Sequence, residues 1–216
     1  MYEEEFSYID LIGMLKSGDA TQRQISALRL SKLKSACDAQ VFASNLIGQD
    51  GKVREAVSFK LKQFVGETPQ YFLSENIYKI FLNAVIDING NVCRNVISAV
   101  SGLKYDLGFV DYFCQNIFEL VMPIIKFVEK FDIQDGKYKV NKEVFKLYWY
   151  LEAIYEFAEY MPIDYLKEVL SRTRNINEYT IREKTAKILT KNFTDVELLK
   201  IKSQLKNDHN YYVRKI

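Results

Sequence analysis

Glycine and proline are scarce in this sequence, with 9 and 3 among 216 residues. Tight hairpin turns and the frequent turns of β-sandwiches depend on these two residues. Their scarcity therefore argues against an all-β fold and favours helices. Apolar residues at 48% and charged residues at 27% match an ordinary folded chain and argue against disorder.

Histidine and cysteine are also rare. The single histidine, His209, lies in a polar turn, and the three cysteines, Cys37, Cys93 and Cys114, are far apart in apolar settings. An odd, dispersed set predicts small buried thiols in a reducing compartment, so we expect a cytoplasmic protein. One histidine provides no metal-ligand cluster and no plausible Ser–His–acid triad, and no glycine-rich phosphate loop is present. We predict no catalytic residue, no metal and no cofactor.

Long uncharged apolar runs are missing as well. The most apolar window, 109–131, contains Pro123 and charged residues that include Asp111, Glu119, Lys126 and Glu129. Charges at that density are costly inside a bilayer. The window therefore predicts a buried helix with a proline kink, and we expect no membrane interaction. The amino-terminal residues show no basic and apolar leader pattern, which predicts no signal peptide.

What the sequence does contain is apolar residues at helical spacing almost throughout. The pattern predicts a polar loop over 132–141, and Asp38, Ser74 and Thr194 are the predicted N-caps of three helices. The predicted helices cover about 9–17, 21–34, 38–46, 53–65, 74–85, 92–103, 109–131, 142–160, 162–172, 180–191 and 194–205, and a further one begins near 213.

A short phrase that contains an arginine recurs along the chain. The anchor arginines are separated by 31, 40, 88 and 32 residues, and the interval of 88 has room for two units, one of which lost its arginine near 141–142. These anchors are Arg23, Arg54, Arg94, Arg182 and Arg214. A recurring helical phrase indicates stacked units that share one hydrophobic core, which predicts a single domain over 1–216.

The phrase resembles the second helix of the HEAT repeat family. In that pattern an acidic residue in a turn precedes a Val-Arg pair and small or apolar residues three and seven positions further on. The best match is Asp50, Val53, Arg54, Val57 and Leu61. The segment around Arg182 also matches, the segment around Arg23 matches apart from Gln22, and the segment around Arg94 matches more loosely. The resemblance implies an all-α fold, an α-solenoid superhelix of about five helix pairs plus a partial C-terminal unit.

The anchor residues are predicted to form a structural ladder rather than a ligand site. Asp19 and Arg23 are four residues apart, as are Asp50 and Arg54, so pairing within a turn or between repeats is available. Arg94, Arg182 and Arg214 are assigned to the same ladder.

The resemblance also implies a function, because in HEAT-type stacks the second helices line a concave binding face. We therefore expect a non-catalytic scaffold or adaptor that binds a protein partner. A cluster of aromatic residues at 148–150 supplies further candidate anchors. The predicted binding residues are Ser58, Lys62, Lys146, Trp149, Tyr150 and Lys187.

Nucleic-acid binding is the alternative interpretation. The HEAT-like alkylation-repair DNA glycosylases have a similar architecture and use concave-face aromatic and acidic residues, for which Trp149, Tyr150 and Glu152 are candidates. Residues 167–216 carry 12 basic and 6 acidic residues, a balance suited to phosphates. A chaperone-like lyase of the bilin-attachment HEAT group is a third, weaker interpretation. Self-association through the C-terminal end is a further expectation.

Overall fold

The computed structural model describes residues 6–130 and 137–216, with side chains from 141 onward in the second stretch. Every regular element in these residues is a helix, which confirms the all-α class. Short 3-10 turns occur at Pro69–Phe72 and Ser101–Leu103. The α-helices are α1 Tyr8–Ser17, α2 Ala20–Arg29, α3 Ala36–Ser44, α4 Gly51–Glu67, α5 Glu75–Ala84, α6 Gly90–Val100, α7 Leu107–Lys130, α8 Lys137–Phe157, α9 Ile163–Thr173, α10 Tyr179–Ile188, α11 Val196–Leu205 and α12 Tyr211–Arg214.

Several helix ends differ from the sequence prediction. Helix α2 ends at Arg29 rather than near 34, because Leu30 adopts an extended conformation and is buried. Ser35, not Asp38, caps α3, and its hydroxyl accepts a hydrogen bond from the Asp38 amide at 3.2 Å. Asp195, not Thr194, caps α11. In both cases the side chain that satisfies the free amides of the first turn defines the start of the helix.

The predicted loop over 132–141 is only partly tested. Residues 131–136 lie outside the described part of the chain, and α8 is already helical from Lys137. The loop prediction is therefore wrong for 137–141, where the helical periodicity of α8 extends one turn further back than expected. Helix α7 contains Pro123, as predicted. No helix in the described ranges combines the length and apolarity that crossing a membrane requires.

The chain divides into two compact units, Met1–Phe109 and Val110–Ile216. In unit 1, α1, α3 and α5 pack in series, and so do α2, α4 and α6. The helices therefore form two layers. Helices that follow each other in sequence lie in different layers and pack against each other, and every second helix lies in the same layer. Its core includes the edge-on ring pair Phe42–Phe64, with centroids 4.9 Å apart. Unit 2 repeats the pattern, because α8 packs on α10, α10 on α12 and α9 on α11.

Buried and half-buried arginines connect successive helix pairs inside each unit. The guanidinium of Arg54 in α4 forms two hydrogen bonds with Asp87, at 2.6 and 3.2 Å, in the turn before α6. Arg182 in α10 does the same with Asp208 before α12, at 2.7 and 3.1 Å. Arg23 in α2 reaches the amide oxygen of Asn45 at 2.8 Å. Each guanidinium thus ties its helix to a polar side chain of the following pair.

The same arginines also donate hydrogen bonds to backbone carbonyls at the end of the preceding helix or in the turn that leads into their own helix. Arg182 donates to the carbonyls of Ile176 and Asn177 at 2.8 and 2.7 Å, and Arg54 donates to the carbonyl of Gln49. Arg23 donates to three such carbonyls, those of Leu15, Lys16 and Gly18. Carbonyls at a helix C-terminus have no partner within the helix, so a guanidinium fork suits them.

The acidic residues of the predicted ladder have another role. Asp19 caps α2 and Asp50 caps α4, accepting hydrogen bonds from backbone amides at 2.8 Å in both cases. Of the two pairings that the sequence left open, the structure shows the one between helix pairs. Arg94 is exposed, and within the described part of the chain its guanidinium hydrogen-bonds only to Asn91 of its own turn, at 3.2 Å. Arg214 donates to the carbonyls of Asp208 and His209.

Candidate functional site

A groove on the second-helix layer of unit 1 is the candidate functional site. It has a volume of about 540 Å³ and lies across α2, α4 and α6. The residues that line it are spaced three or four apart on each helix, so each helix contributes one face. They are Gln24 and Leu28 of α2, Lys52, Glu55, Ala56 and Phe59 of α4, and Asn91 and Asn95 of α6.

Two large apolar side chains in the groove face solvent. Phe59 is 68% exposed and Leu28 is 47% exposed. Phe59 lies two residues beyond Val57 and two before Leu61, both fully buried, so it projects from the opposite side of α4. An exposed phenylalanine beside an exposed leucine, surrounded by polar residues, is a surface typical of interaction sites.

Hydrogen bonds between α4 and α6 fix the polar part of the groove. The Asn91 amide donates to Glu55 Oε1 at 3.1 Å, and the Asn95 amide donates to Ser58 Oγ at 3.2 Å. Among the described residues, neither Lys52 Nζ nor the side-chain amide of Gln24 has a hydrogen-bond or ion-pair partner. As far as the described residues show, the groove therefore has one unpaired ammonium group and one unpaired side-chain amide.

The lining of this groove combines an aromatic ring with polar side chains. Nothing in the groove pairs a nucleophile with a base, which covalent chemistry would require. An aromatic anchor in a pocket with a polar rim matches the composition of protein interaction hot spots. Across residues 6–130 and 137–216, no group of three or more His, Cys, Asp or Glu side chains is placed to hold a metal ion.

The two predicted binding residues of unit 1 lie beside this groove, but they differ in exposure. Lys62 is exposed on α4. Ser58 was expected to be exposed and is instead 0% exposed. The expectation is wrong because Ser58 faces α6, where its hydroxyl accepts from Asn95 and donates to the carbonyl of Glu55.

The predicted binding residues of unit 2 are mostly buried or paired. Tyr150 is 2% exposed and Trp149 is 7% exposed, so the expectation that Tyr150 reaches solvent is wrong. Both belong to the broad apolar face of α8 that includes the buried Leu147 and Leu151. Burial raises the pKa of Tyr150 to about 12. Lys146 is half-buried and forms an ion pair with Glu143 at 2.7 Å.

Lys187 belongs to a cluster that joins α8 to α10. Glu152 accepts hydrogen bonds from both Lys184 and Lys187, and these lysines also lie 4.4 and 4.3 Å from the ring centroids of Tyr148 and Tyr155. Burial by itself would raise the pKa of Glu152, but the two lysines outweigh it and hold the pKa below its ordinary value. Glu152 thus pairs with both lysines at once.

Two smaller predictions concern isolated side chains. The His209 side chain is 83% exposed, which confirms a loop histidine on the surface. Cys93 and Cys114 are buried, but Cys37 is exposed in the first turn of α3, so the prediction of three buried thiols is wrong for that residue. Burial raises the pKa of Cys93 and of Cys114 to about 12, which keeps both thiols protonated and unreactive.

Sequence reasoning did not select Leu28, Lys52, Phe59, Asn91 or Asn95. A signal for Phe59 was present, because Val57, Leu61 and Phe64 already fill the inward stripe of α4 and leave Phe59 off it. The other residues gave no such signal, because polar side chains on a helix surface look alike until neighbouring helices bring them together.

Comparisons with known proteins identify no family. No protein-family model matches the sequence. No curated protein matches it either. Among solved structures, the chain is similar to the crystal structure of an engineered protein from the Northeast Structural Genomics Consortium. That match has a TM-score of 0.48 and 11% sequence identity, and it covers 97% of this chain and 93% of the other.

Proposed function

We propose that this chain is a non-catalytic scaffold of HEAT-like helix pairs that binds a protein partner through the groove on α2, α4 and α6. The observation that carries the proposal is the exposed Phe59 beside Leu28 in a groove of about 540 Å³. Burying such a ring gains roughly 2 kcal/mol or more, which is enough to anchor a partner. The two-layer packing in each unit and the guanidinium ladder support the repeat interpretation.

The groove also indicates what the partner offers. It needs an apolar side chain to cover Phe59 and Leu28, and an acidic group suits the free ammonium of Lys52. The glycosylase alternative used Trp149, Tyr150 and Glu152, but the first two are buried and the third is held by two lysines. The proposed activity is therefore binding. The proposed location is the cytoplasm.

The test is a selection from a random peptide library displayed on phage, with the full chain as the target. Selected peptides should be rich in apolar and acidic residues. Titration calorimetry should then show that Phe59→Ala weakens their binding by about tenfold or more, consistent with the loss of one hot-spot side chain. The matched control is Ile88→Ala, which removes another apolar side chain of unit 1 that is 82% exposed. Peptides whose affinity is unchanged by Phe59→Ala would overturn the proposal.

A further inference from the structure

Three exposed tyrosines lie together in unit 2, remote in sequence from the unit 1 groove. Tyr211 is 61% exposed, Tyr212 is 55% exposed and Tyr179 is 38% exposed. The ring centroids of Tyr179 and Tyr212 are 6.1 Å apart, and those of Tyr211 and Tyr212 are 5.6 Å apart. Tyr179 begins α10 and the other two begin α12, so the packing of these helices assembles the patch.

One lysine lies against this patch, and two more lie beside α12. Lys215 Nζ lies 5.9 Å from the centroid of the Tyr211 ring. Lys202 and Lys206 of the α11 region line a crevice together with Val213 and Ile216, which places them next to α12. None of these three ammonium groups has an ion-pair partner among the described residues, in contrast to the paired lysines of the Glu152 cluster.

Few acidic groups offset these cations. Residues 196–216 contain two acidic side chains, Glu197 and Asp208, and Glu178 and Glu183 lie close to Tyr179 in sequence. The Asp208 carboxylate is 8% exposed and is neutralised by Arg182, so it adds little negative field at the surface. The surface formed by Tyr179, Tyr211, Tyr212, Lys202, Lys206 and Lys215, named here the tyrosine–lysine surface, is therefore aromatic and positively charged.

We infer that the tyrosine–lysine surface binds single-stranded nucleic acid. Unpaired bases stack on exposed aromatic rings, and lysines hold the phosphates that connect them. A single strand supplies a π-face and a negative charge with every nucleotide, which matches a surface that has both exposed rings and lysines. A duplex hides its base faces in the stack, so it uses the lysines but not the tyrosines.

The inference is independent of the groove on α2, α4 and α6. It uses other residues in the other unit, so either proposal can fail while the other stands. The tyrosine rings are mostly outside the core, so their removal should leave the fold intact.

The experiment measures fluorescence anisotropy of a labelled 15-nucleotide oligothymidylate with the full chain. We expect binding that weakens about tenfold between 50 and 200 mM salt, as release of counterions from two or three phosphates requires. The double variant Tyr211→Ala/Tyr212→Ala should lose about tenfold or more in affinity, and Tyr211→Phe/Tyr212→Phe should keep it, because stacking needs the ring and not the hydroxyl.

Two controls complete the design. Tyr105→Ala removes a tyrosine of unit 1 that is 59% exposed and should bind like the wild type. Lys206→Ala and Lys215→Ala should each make the salt dependence shallower. Absence of binding at 50 mM salt, equal binding by the double alanine variant, or stronger binding of duplex than of single strand would overturn the inference. A polyglutamate peptide or anionic lipid vesicles that bind with the same dependence on the two tyrosines would also overturn it, in favour of an acidic protein or a membrane surface.

Discussion

Arg182 and Asp208 form a bidentate ion pair across 26 residues of sequence, and their side chains are 5% and 8% exposed. Asp208 also accepts the backbone amide of Asn210 at 2.8 Å, so one carboxylate both orders the turn before α12 and ties that turn to α10. Arg54 and Asp87 have the same relationship in unit 1, where Asp87 accepts the amide of Asn89 at 2.8 Å.

Removal of one partner should reveal the strength of this link. Arg182→Met leaves the Asp208 carboxylate buried without its cation, and we expect the free energy of unfolding to fall by about 3 kcal/mol. Urea unfolding of the full chain at neutral pH measures it. Lys79→Met is the control, because Lys79 and Glu75 are 58% and 64% exposed and such a pair contributes about 0.5 kcal/mol or less. Similar losses for both variants would contradict the assignment.

Stability should also depend on acid through Asp208. The hydrogen bond from Arg182 lowers the pKa of Asp208 below the ordinary value of an aspartate. Because the folded pKa is the lower one, the stabilisation is present above the unfolded pKa of about 4 and is lost as the pH falls through the folded pKa. The urea midpoint of the wild type should therefore fall below about pH 4 more steeply than that of Asp208→Asn. If the urea midpoints of the wild type and of Asp208→Asn fell equally with pH, Asp208 would not contribute to the acid dependence of stability.

Arg54 and Arg94 should differ in how much they contribute to the free energy of unfolding. Arg54 has a side chain that is 14% exposed and holds Asp87 of the next helix pair, whereas Arg94 is exposed and, among the described residues, hydrogen-bonds only to Asn91. Arg54→Ala should cost about 2–3 kcal/mol, and Arg94→Ala less than about 0.5 kcal/mol. Thermal and urea unfolding of the two variants test this directly. If the Arg94 variant proved the less stable, the ladder as described would be incorrect.

Glu152 should stabilise the contact between α8 and α10 through its ion pairs with Lys184 and Lys187. Glu152→Gln leaves Lys184, with a side chain 12% exposed, without an anionic partner, so we expect a loss of about 2 kcal/mol in unfolding free energy. Glu159→Gln is the matched control, because Glu159 is 62% exposed and its oxygen lies 3.9 Å from Lys191. The control should change stability by less than about 0.5 kcal/mol. A loss for Glu159→Gln as large as that for Glu152→Gln would contradict the prediction.

Two neighbours on α4 should separate stability from binding. Leu61 is 0% exposed, and Leu61→Ala should destabilise the chain by about 2–5 kcal/mol through loss of burial and a residual cavity. Phe59 is 68% exposed, and Phe59→Ala should change stability by less than about 0.5 kcal/mol. Calorimetric unfolding of both variants provides the comparison. A large loss for Phe59→Ala would mean that the ring belongs to the core and not to a binding groove.

Much of the helical organisation could be predicted from the sequence. The break at 17–19, the turn at 66–69 and Pro162 each mark a helix boundary close to where the structure has one. Boundaries were missed where two polar residues compete for the cap, as at Ser35 and Asp38. Local sequence contains both candidates, and only the backbone path shows which side chain reaches the free amides.

The binding residues were harder to predict, because exposure depends on which neighbours a helix acquires. Ser58 and Tyr150 appeared to be surface residues by type and position, yet α6 covers Ser58 and the apolar face of α8 includes Tyr150. Phe59 lies on the open side of α4, although aromatic rings are more often buried. The HEAT resemblance, the superhelix and the single domain over 1–216 stay predictions.

The sequence by itself determined that this protein is helical, because apolar spacing and the shortage of turn residues act within a few positions of the chain. The sequence also identified the arginines that recur in the repeated helical phrase. Only the tertiary structure decided which partners those arginines bind, which lysines are neutralised, and which aromatic rings remain in solvent. Those outcomes depend on groups about 20 to 40 residues apart that come together when helices pack, and spacing along one helix contains no information about them.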